Sequence, residues 1–169
     1  REPVPDLWLC PALLKKDRFD LVLEKATELG VGAIRPVVTR RCVADKLNPD
    51  RARANVIEAA EQCARTALPE LHPPQKLDAL LADWPEDRTL FFADEEGGAP
   101  ALEAMRARPG PAALLIGPEG GFDAEERAAI RAHRSQLGEV VQDDPQGFVL
   151  PDAMIDLFAQ QDEIFWRMP

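Results

Sequence analysis

The sequence predicts an α/β protein in which a mainly parallel sheet carries helices on both faces. Segments with helical periodicity alternate four or five times with short apolar segments along the 169 residues. The short segments are apolar throughout, as in residues 112–116, which is typical of strands buried on both faces. A glycine-rich loop joins that segment to an acidic helix start, the arrangement at which α/β proteins bind ligands.

The first half of the chain supplies three elements. Residues 1–14 contain three prolines and no helical period, so we expect a linker or domain junction there, followed by one domain over 15–169. Apolar residues at helical spacing predict a helix over 17–29, which Gly30 ends, and a strand follows over 31–38. Asn48 and Pro49 suit the N-cap and first position of a helix that continues to about residue 68.

The remaining elements follow the same alternation. We expect strands over 89–93, 112–116 and 139–142, and helices over 76–84, 100–108, 124–134 and 151–161.

Charge is distributed unevenly along the chain. The net charge is −10, yet residues 1–66 carry 12 Lys and Arg against 10 Asp and Glu. Such a local excess allows a phosphate-binding surface, and a solvated polar face is the alternative. The three cysteines are widely spaced and match no metal or disulfide pattern, and no apolar run is long enough to span a bilayer. We therefore expect a cytoplasmic protein that binds neither metal nor membrane.

The loop over residues 117–121 is the main candidate site. It contains three glycines in five residues, which allow close backbone approach and positive φ, but it matches neither a Walker A loop nor a GxGxxG pattern. The acidic residues after it disfavour a phosphate and favour a neutral or positive reacting centre, such as a nucleoside bearing a sulfonium. From spacing alone, a structural turn and a ligand loop are equally good interpretations.

Other polar residues give weaker signals. Asp94 ends the preceding predicted strand and is expected at the same sheet edge. Glu61 and Arg65 are spaced for an ion pair within one helix, while His72 and His133 lack partners at metal or triad spacing. No catalytic residue is assigned.

Four motifs occur in order along residues 7–134. They are ALLKKDRFD at 12–20, EKATELGV at 24–31, EQCAR at 61–65 and IGPEGGF at 116–122. Together they resemble the 16S ribosomal RNA uridine-N3 methyltransferases of the SPOUT superfamily. The resemblance implies a parallel α/β fold with a C-terminal trefoil knot, an S-adenosylmethionine cofactor, 16S rRNA or the small ribosomal subunit as substrate, and a homodimer.

The resemblance also implies two groups of site residues. The cofactor-binding group is Phe92, Ala93, Leu115, Ile116, Gly117, Pro118, Glu119, Gly120 and Gly121. The RNA-binding group is Lys16, Arg18, Arg40, Arg41 and Arg65, which agrees with the basic character of the first 66 residues.

The sequence departs from the family pattern at both ends. The small N-terminal β-barrel of the family does not precede the motifs. After residue 135, Ala and Arg become rare, and residues 142–150 lack the arginines of the family's Ser-Leu-Gly-Pro-Arg-Ile-Leu-Arg loop. Residues 136–169 are therefore a divergent tail. A catalytically impaired SPOUT derivative, which binds ligand or RNA or dimerises without methyl transfer, is the alternative to an active enzyme.

Overall fold

The computed structural model describes residues 4–94, 99–133 and 137–141. Within them the strands are β1 (Leu7–Pro11), β2 (Ala33–Ile34), β3 (Val37–Val38), β4 (Glu70–Leu71), β5 (Gln75–Lys76), β6 (Thr89–Asp94), β7 (Ala99–Pro100), β8 (Ala112–Ile116) and β9 (Leu137–Val141). The helices are α1 (Lys16–Leu29), α2 (Pro49–Gln62), α3 (Leu77–Ala82), α4 (Ala101–Ala107) and α5 (Ala124–Ala132).

Seven strands form one parallel sheet in the order β4-β2-β1-β8-β6-β9-β7. The central pair is β1 and β8, in register from Leu7 opposite Ala112 to Pro11 opposite Ile116. Strands β3 and β5 form a separate parallel pair. The predicted mainly parallel sheet is confirmed.

The core has two layers because successive strand side chains point to opposite faces. Leu9, Leu114 and Phe91 belong to the layer shared with α1, α2 and α4. Leu115 and Phe92 belong to the opposite layer, shared with α3 and α5. The prediction of helices on both faces is thus confirmed.

The structure corrects the expected linker over residues 1–14. Leu7–Pro11 form β1, which pairs with β2 on one side and with β8 on the other. The proline content was misleading because Pro5 precedes the strand and Pro11 closes it, so neither interrupts the ladder inside the strand. The α/β domain therefore includes β1.

Two other predicted elements differ in extent. The strand expected over 31–38 is divided into β2 and β3, with Pro36, which has no N–H to donate, between them. Helix α2 begins as predicted, with the Asn48 side chain accepting from Arg51 N–H, but it ends at Gln62. Ala64 has φ of 56°, a left-handed conformation that does not continue a helix.

The expected end of α1 is observed. Gly30 adopts φ of 80°, and its N–H donates to the carbonyl oxygens of Ala26 and Thr27. The helix expected over 151–161 and most of the divergent tail lie outside the described residues.

Candidate functional site

The glycine-rich loop lies at the carboxyl edge of the sheet, where the chain changes direction. Strand β1 leads into α1 on one face, whereas β8 leads into α5 on the other. Ala12 N–H donates to the Ile116 carbonyl oxygen at 2.8 Å, which holds the two strand ends together. Such a switch point is where open α/β sheets bind ligands.

Gly117 and Gly121 are required by the conformation of the loop. A Cβ on Gly117 would lie 2.8 Å from Cε2 of Phe122, a ring that is only 2% exposed. That ring packs edge to face on Phe92, with centroids 5.2 Å apart and an interplanar angle of 74°. Gly121 has φ of 65°, and its N–H donates to the Pro118 carbonyl oxygen at 2.8 Å.

The acidic helix start after the loop forms a capping box. The Asp123 side chain accepts from Glu126 N–H at 2.8 Å, and Asp123 N–H donates to Glu126 Oε2 at 3.1 Å. The hydrogen bond from Glu126 N–H, supported by the nearby Arg40 side chain, lowers the pKa of the Asp123 carboxyl. These carboxylates are therefore engaged in local structure.

Arg40 joins the loop after β3 to the start of α5. Its backbone N–H donates to Glu126 Oε1 at 2.8 Å, and its Nη1 lies 3.0 Å from Asp123 Oδ2. The same guanidinium also pairs with Glu125. The negative charge that the sequence places beside the glycine loop is thus partly compensated.

Two further arginines contact the glycine loop directly. Arg41 donates from Nη1 to the Gly120 carbonyl oxygen at 2.6 Å. Arg18, from the first turn of α1, places Nη1 2.6 Å from Glu119 Oε1, and both side chains are 60% exposed. Ion pairs this exposed stabilise a fold little. The arginines therefore border the loop without being needed for the core.

Three of the five predicted RNA-binding residues, Arg18, Arg40 and Arg41, contact the glycine loop or the helix start after it. Lys16 begins α1, close to Arg18, and its side chain is exposed. Arg65 is different: it lies beyond the end of α2, and its Nε donates to the Glu28 carbonyl oxygen at 2.9 Å. Its guanidinium packs over Gly30 at the far end of α1, about 20 Å from the first turn. The structure does not bring Arg65 to the other four.

The strand ends place the remaining cofactor candidates beside the loop. In the ladder between β6 and β8, Phe92 stands opposite Leu115, and Ala93 opposite Ile116. Phe92 and Leu115 have fully buried side chains, so only their backbone atoms are available to a ligand at this edge.

Asp94, at the end of β6, is fixed by two arginines that the sequence analysis did not single out. Its side chain is 1% exposed, with Oδ2 accepting from Arg131 Nη2 at 2.7 Å and Oδ1 lying 3.3 Å from Arg127 Nε. Both arginines come from α5. Their four-residue spacing on a helix that follows a glycine loop was the available signal.

The described residues hold no group of three or more His, Cys, Asp and Glu close enough to bind a metal ion. His72 lies 3.4 Å from Glu70 Oε1. No helix within the described ranges is both long and apolar enough to cross a bilayer.

Fold and site together define an α/β protein with a glycine-rich loop at a switch point of the sheet, bordered by arginines. The chain belongs to the RNA methyltransferase domain family, whose family model matches residues 1–140. It is 30% identical over 136 residues to the ribosomal RNA small subunit methyltransferase E of Mycobacterium bovis, covering 75% of this chain and 52% of that relative. The chain spans about half the length of the curated relatives it matches.

Two solved structures of methyltransferases are also similar to this chain. The ribosomal RNA small subunit methyltransferase E of Neisseria gonorrhoeae, bound to S-adenosyl methionine, matches with a TM-score of 0.83 and 26% identity, over 96% of this chain and 67% of that one. A putative methyltransferase of Legionella pneumophila in complex with the same cofactor matches with a TM-score of 0.77 and 28% identity, over 93% and 66% of the two chains.

Proposed function

We propose that this chain contains the cofactor-binding domain of an S-adenosylmethionine-dependent methyltransferase that modifies N3 of a uridine in 16S rRNA. Family membership and the names of its relatives support methyl transfer to small-subunit rRNA. The N3 position rests on the four sequence motifs. The observation that carries the proposal is the direct contact of Arg18, Arg40 and Arg41 with the glycine loop and the helix start after it.

The loop suits a cofactor with an adenosine and an amino-acid part. Gly120 is exposed and Gly121 is half-buried, so backbone atoms of the loop are accessible to a ligand. The carboxylates of Glu119 and Asp123 are paired with arginines, so the loop carries little uncompensated charge. Such surroundings fit a nucleoside without phosphates.

In this proposal, residues 117–121 hold the cofactor, and backbone atoms at the ends of β6 and β8 complete its floor. These are the nine residues Phe92, Ala93, Leu115, Ile116, Gly117, Pro118, Glu119, Gly120 and Gly121. When bound, the cofactor supplies an electrophilic methyl group on a sulfonium sulfur. The chain's part is to position that group and the uridine, which by itself lowers a barrier substantially.

In this proposal the RNA lies across the basic side chains that border the loop. Lys16, Arg18, Arg40 and Arg41 contact phosphates near the glycine loop, which favours RNA by charge. Arg65 contributes indirectly, because it fixes the end of α1. We further propose a homodimer in the cytoplasm.

A catalytically impaired derivative is the second candidate, and the sequence of the tail favours it. Asp143 and Asp144 replace the basic character of the family's last loop, and acidic side chains repel RNA phosphates. In that case the glycine loop binds ligand without turnover.

Calorimetry with S-adenosylmethionine and S-adenosylhomocysteine tests the cofactor site. We expect saturable binding that is lost in Gly120→Trp, because the large side chain fills the exposed side of the loop. Ala128→Trp, at an exposed position of α5, is the matched control and retains binding. Absence of binding to the unmodified chain at millimolar ligand would contradict the proposal.

Methyl transfer is measured separately, with labelled cofactor and small ribosomal subunits that lack the modification. Incorporation at N3 of one uridine supports the enzyme. Cofactor binding without incorporation supports the impaired derivative.

A further inference from the structure

A cavity of about 530 Å³ lies beside the first turn of α1, and none of its lining residues belongs to the glycine loop. It is lined by residues 13–14 after β1, the start of α1, Ala44, residues 46–48 and the start of α2. Pockets that bind small ligands measure roughly 300–1,000 Å³, so this volume accommodates a nucleoside.

The cavity has an apolar floor. Leu13, Leu14, Phe19 and Ala52 are all buried and contribute apolar surface to it. Leu13 is fixed by its N–H, which donates to the Val37 carbonyl oxygen at 2.8 Å. Such a floor suits the flat face of a nucleobase, whose polar edges then need hydrogen-bond partners elsewhere.

The rim of the cavity is cationic. Lys16 and Lys46 line it and are exposed, and neither ammonium group has a hydrogen bond or ion pair to any other residue in the described part of the chain. Two free ammonium groups at one opening favour an anionic ligand.

The wall contains a polar pair. Asp20 is ion-paired with Arg51, and Asn55 Nδ2 donates to Asp20 Oδ1 at 2.7 Å. This pair offers a carboxylate acceptor and a guanidinium donor, the groups with which proteins contact base edges.

The cavity and the glycine loop lie on different faces of the first turn of α1, because side chains two residues apart on a helix do not share a face. Lys16 at the rim of the cavity is two residues before Arg18, which pairs with Glu119 of the loop. The cavity therefore offers RNA a place of contact separate from the glycine loop.

We infer that this cavity holds the base of an unpaired RNA nucleotide, with the adjoining phosphates on Lys16 and Lys46. The inference rests on the proposed function, since it supplies a second contact for the same RNA. A free phosphate gains nothing from contact with the apolar floor, and a purely apolar ligand makes no ion pair with the lysines. Unpaired bases placed in such pockets are the usual means of recognising single-stranded RNA.

Filling the cavity tests the inference. Ala44→Trp places a large side chain at the lining, whereas Val43→Trp adds the same group next to it, at a residue that is 71% exposed and does not line the cavity. Binding of a labelled ten-nucleotide single-stranded RNA is followed by fluorescence anisotropy. We expect Ala44→Trp to raise the Kd about tenfold, the effect of losing one stacked base, and Val43→Trp to change it less than about twofold.

The lysines are tested by salt dependence, which does not depend on whether the tryptophan variants fold. The association constant for RNA falls as the salt concentration rises. Lys16→Ala and Lys46→Ala are each expected to make the slope of its logarithm against log salt concentration less steep by about 0.7. Lys76→Ala, an exposed lysine of β5, leaves the slope unchanged.

The inference is overturned if Ala44→Trp and Val43→Trp bind RNA equally, if the two lysine variants keep the unmodified slope, or if the unmodified chain binds no RNA. Failure of the proposed function is distinguishable, because it appears as absence of S-adenosylmethionine binding in calorimetry. The RNA measurements contain no cofactor.

Discussion

Arg41 donates a hydrogen bond of 2.6 Å from Nη1 to the carbonyl oxygen of Gly120, across 79 residues of sequence. The contact fixes the exposed side of the glycine loop from the segment that follows β3. It thereby links the residues proposed to hold the cofactor to those proposed to hold RNA.

Removing this contact is expected to weaken cofactor binding. Arg41→Ala leaves the Gly120 carbonyl without its donor, so the loop must be ordered by the ligand instead. One such hydrogen bond contributes about 1 kcal/mol, which corresponds to a roughly fivefold rise in the Kd for S-adenosylmethionine. Calorimetry measures the change, and Arg53→Ala, an exposed arginine of α2, is the control. An unchanged Kd in Arg41→Ala would show that the loop is fixed without it.

Gly117 and Gly120 of the loop are expected to differ in their tolerance of a methyl group. In Gly117→Ala the new Cβ lies 2.8 Å from the Phe122 ring, whereas in Gly120→Ala it lies 3.6 Å from Arg41 Cδ, an ordinary contact. We expect Gly117→Ala to lower the free energy of unfolding by about 2 kcal/mol and Gly120→Ala by less than about 0.5 kcal/mol. Urea denaturation measures both.

A double variant tests the cause of that difference. Phe122→Leu removes the ring edge that the new Cβ meets, so the cost of Gly117→Ala becomes smaller in the Phe122→Leu background. Equal costs in the two backgrounds would locate the strain elsewhere.

The capping box is expected to make stability depend on pH in the acid range. The pKa of Asp123 in the folded state is lowered, chiefly by the hydrogen bond from Glu126 N–H and further by Arg40. Its contribution is therefore fully present above the ordinary carboxyl pKa of 3.8 and is lost as the pH falls through the lowered folded-state pKa. Asp123→Asn keeps a capping side chain but has no titrating group.

Urea denaturation at a series of pH values measures this effect. We expect the unfolding midpoint of the unmodified chain to fall more steeply below about pH 4 than that of Asp123→Asn. Asp87→Asn, at an exposed position away from the loop, provides the control for a general change in charge. Parallel curves for the unmodified chain and Asp123→Asn would contradict the assignment.

The three cysteines are expected to react with iodoacetamide in a fixed order. Cys63 is exposed, and Cys42 is half-buried beside Thr39, whose N–H donates to Cys42 Sγ at 3.3 Å. Cys10 lies in the core, where burial raises its pKa to about 12 against the smaller opposing effects of Arg35 and Arg88. Because the thiolate is the reactive form, Cys63 reacts first and Cys10 only after unfolding. Mass spectrometry of native samples that finds Cys10 alkylated before Cys63 would contradict the packing described.

The local pattern of the sequence was sufficient to predict most helices and strands. The spacing of apolar residues located α1 and β8, and Asn48 with Pro49 marked the start of α2. The prediction was wrong where proline was concerned, because proline occurs both in linkers and at the ends of strands. Prolines at the edges of β1 suggested a linker, although a proline at the end of a strand does not disrupt its pairing.

For the site, the sequence by itself determined the glycine loop, its acidic helix start and the basic character of the first 66 residues. Only the tertiary structure decided that Arg18, Arg40 and Arg41 border that loop while Arg65 supports the far end of α1. The sequence patterns of helices and strands reflect backbone preferences and the exposure of side chains to solvent, and both are set within a few residues of the chain. The contact between Arg41 and Gly120 depends on the order of strands in the sheet, which brings the ends of β1 and β8 together although about a hundred residues separate them.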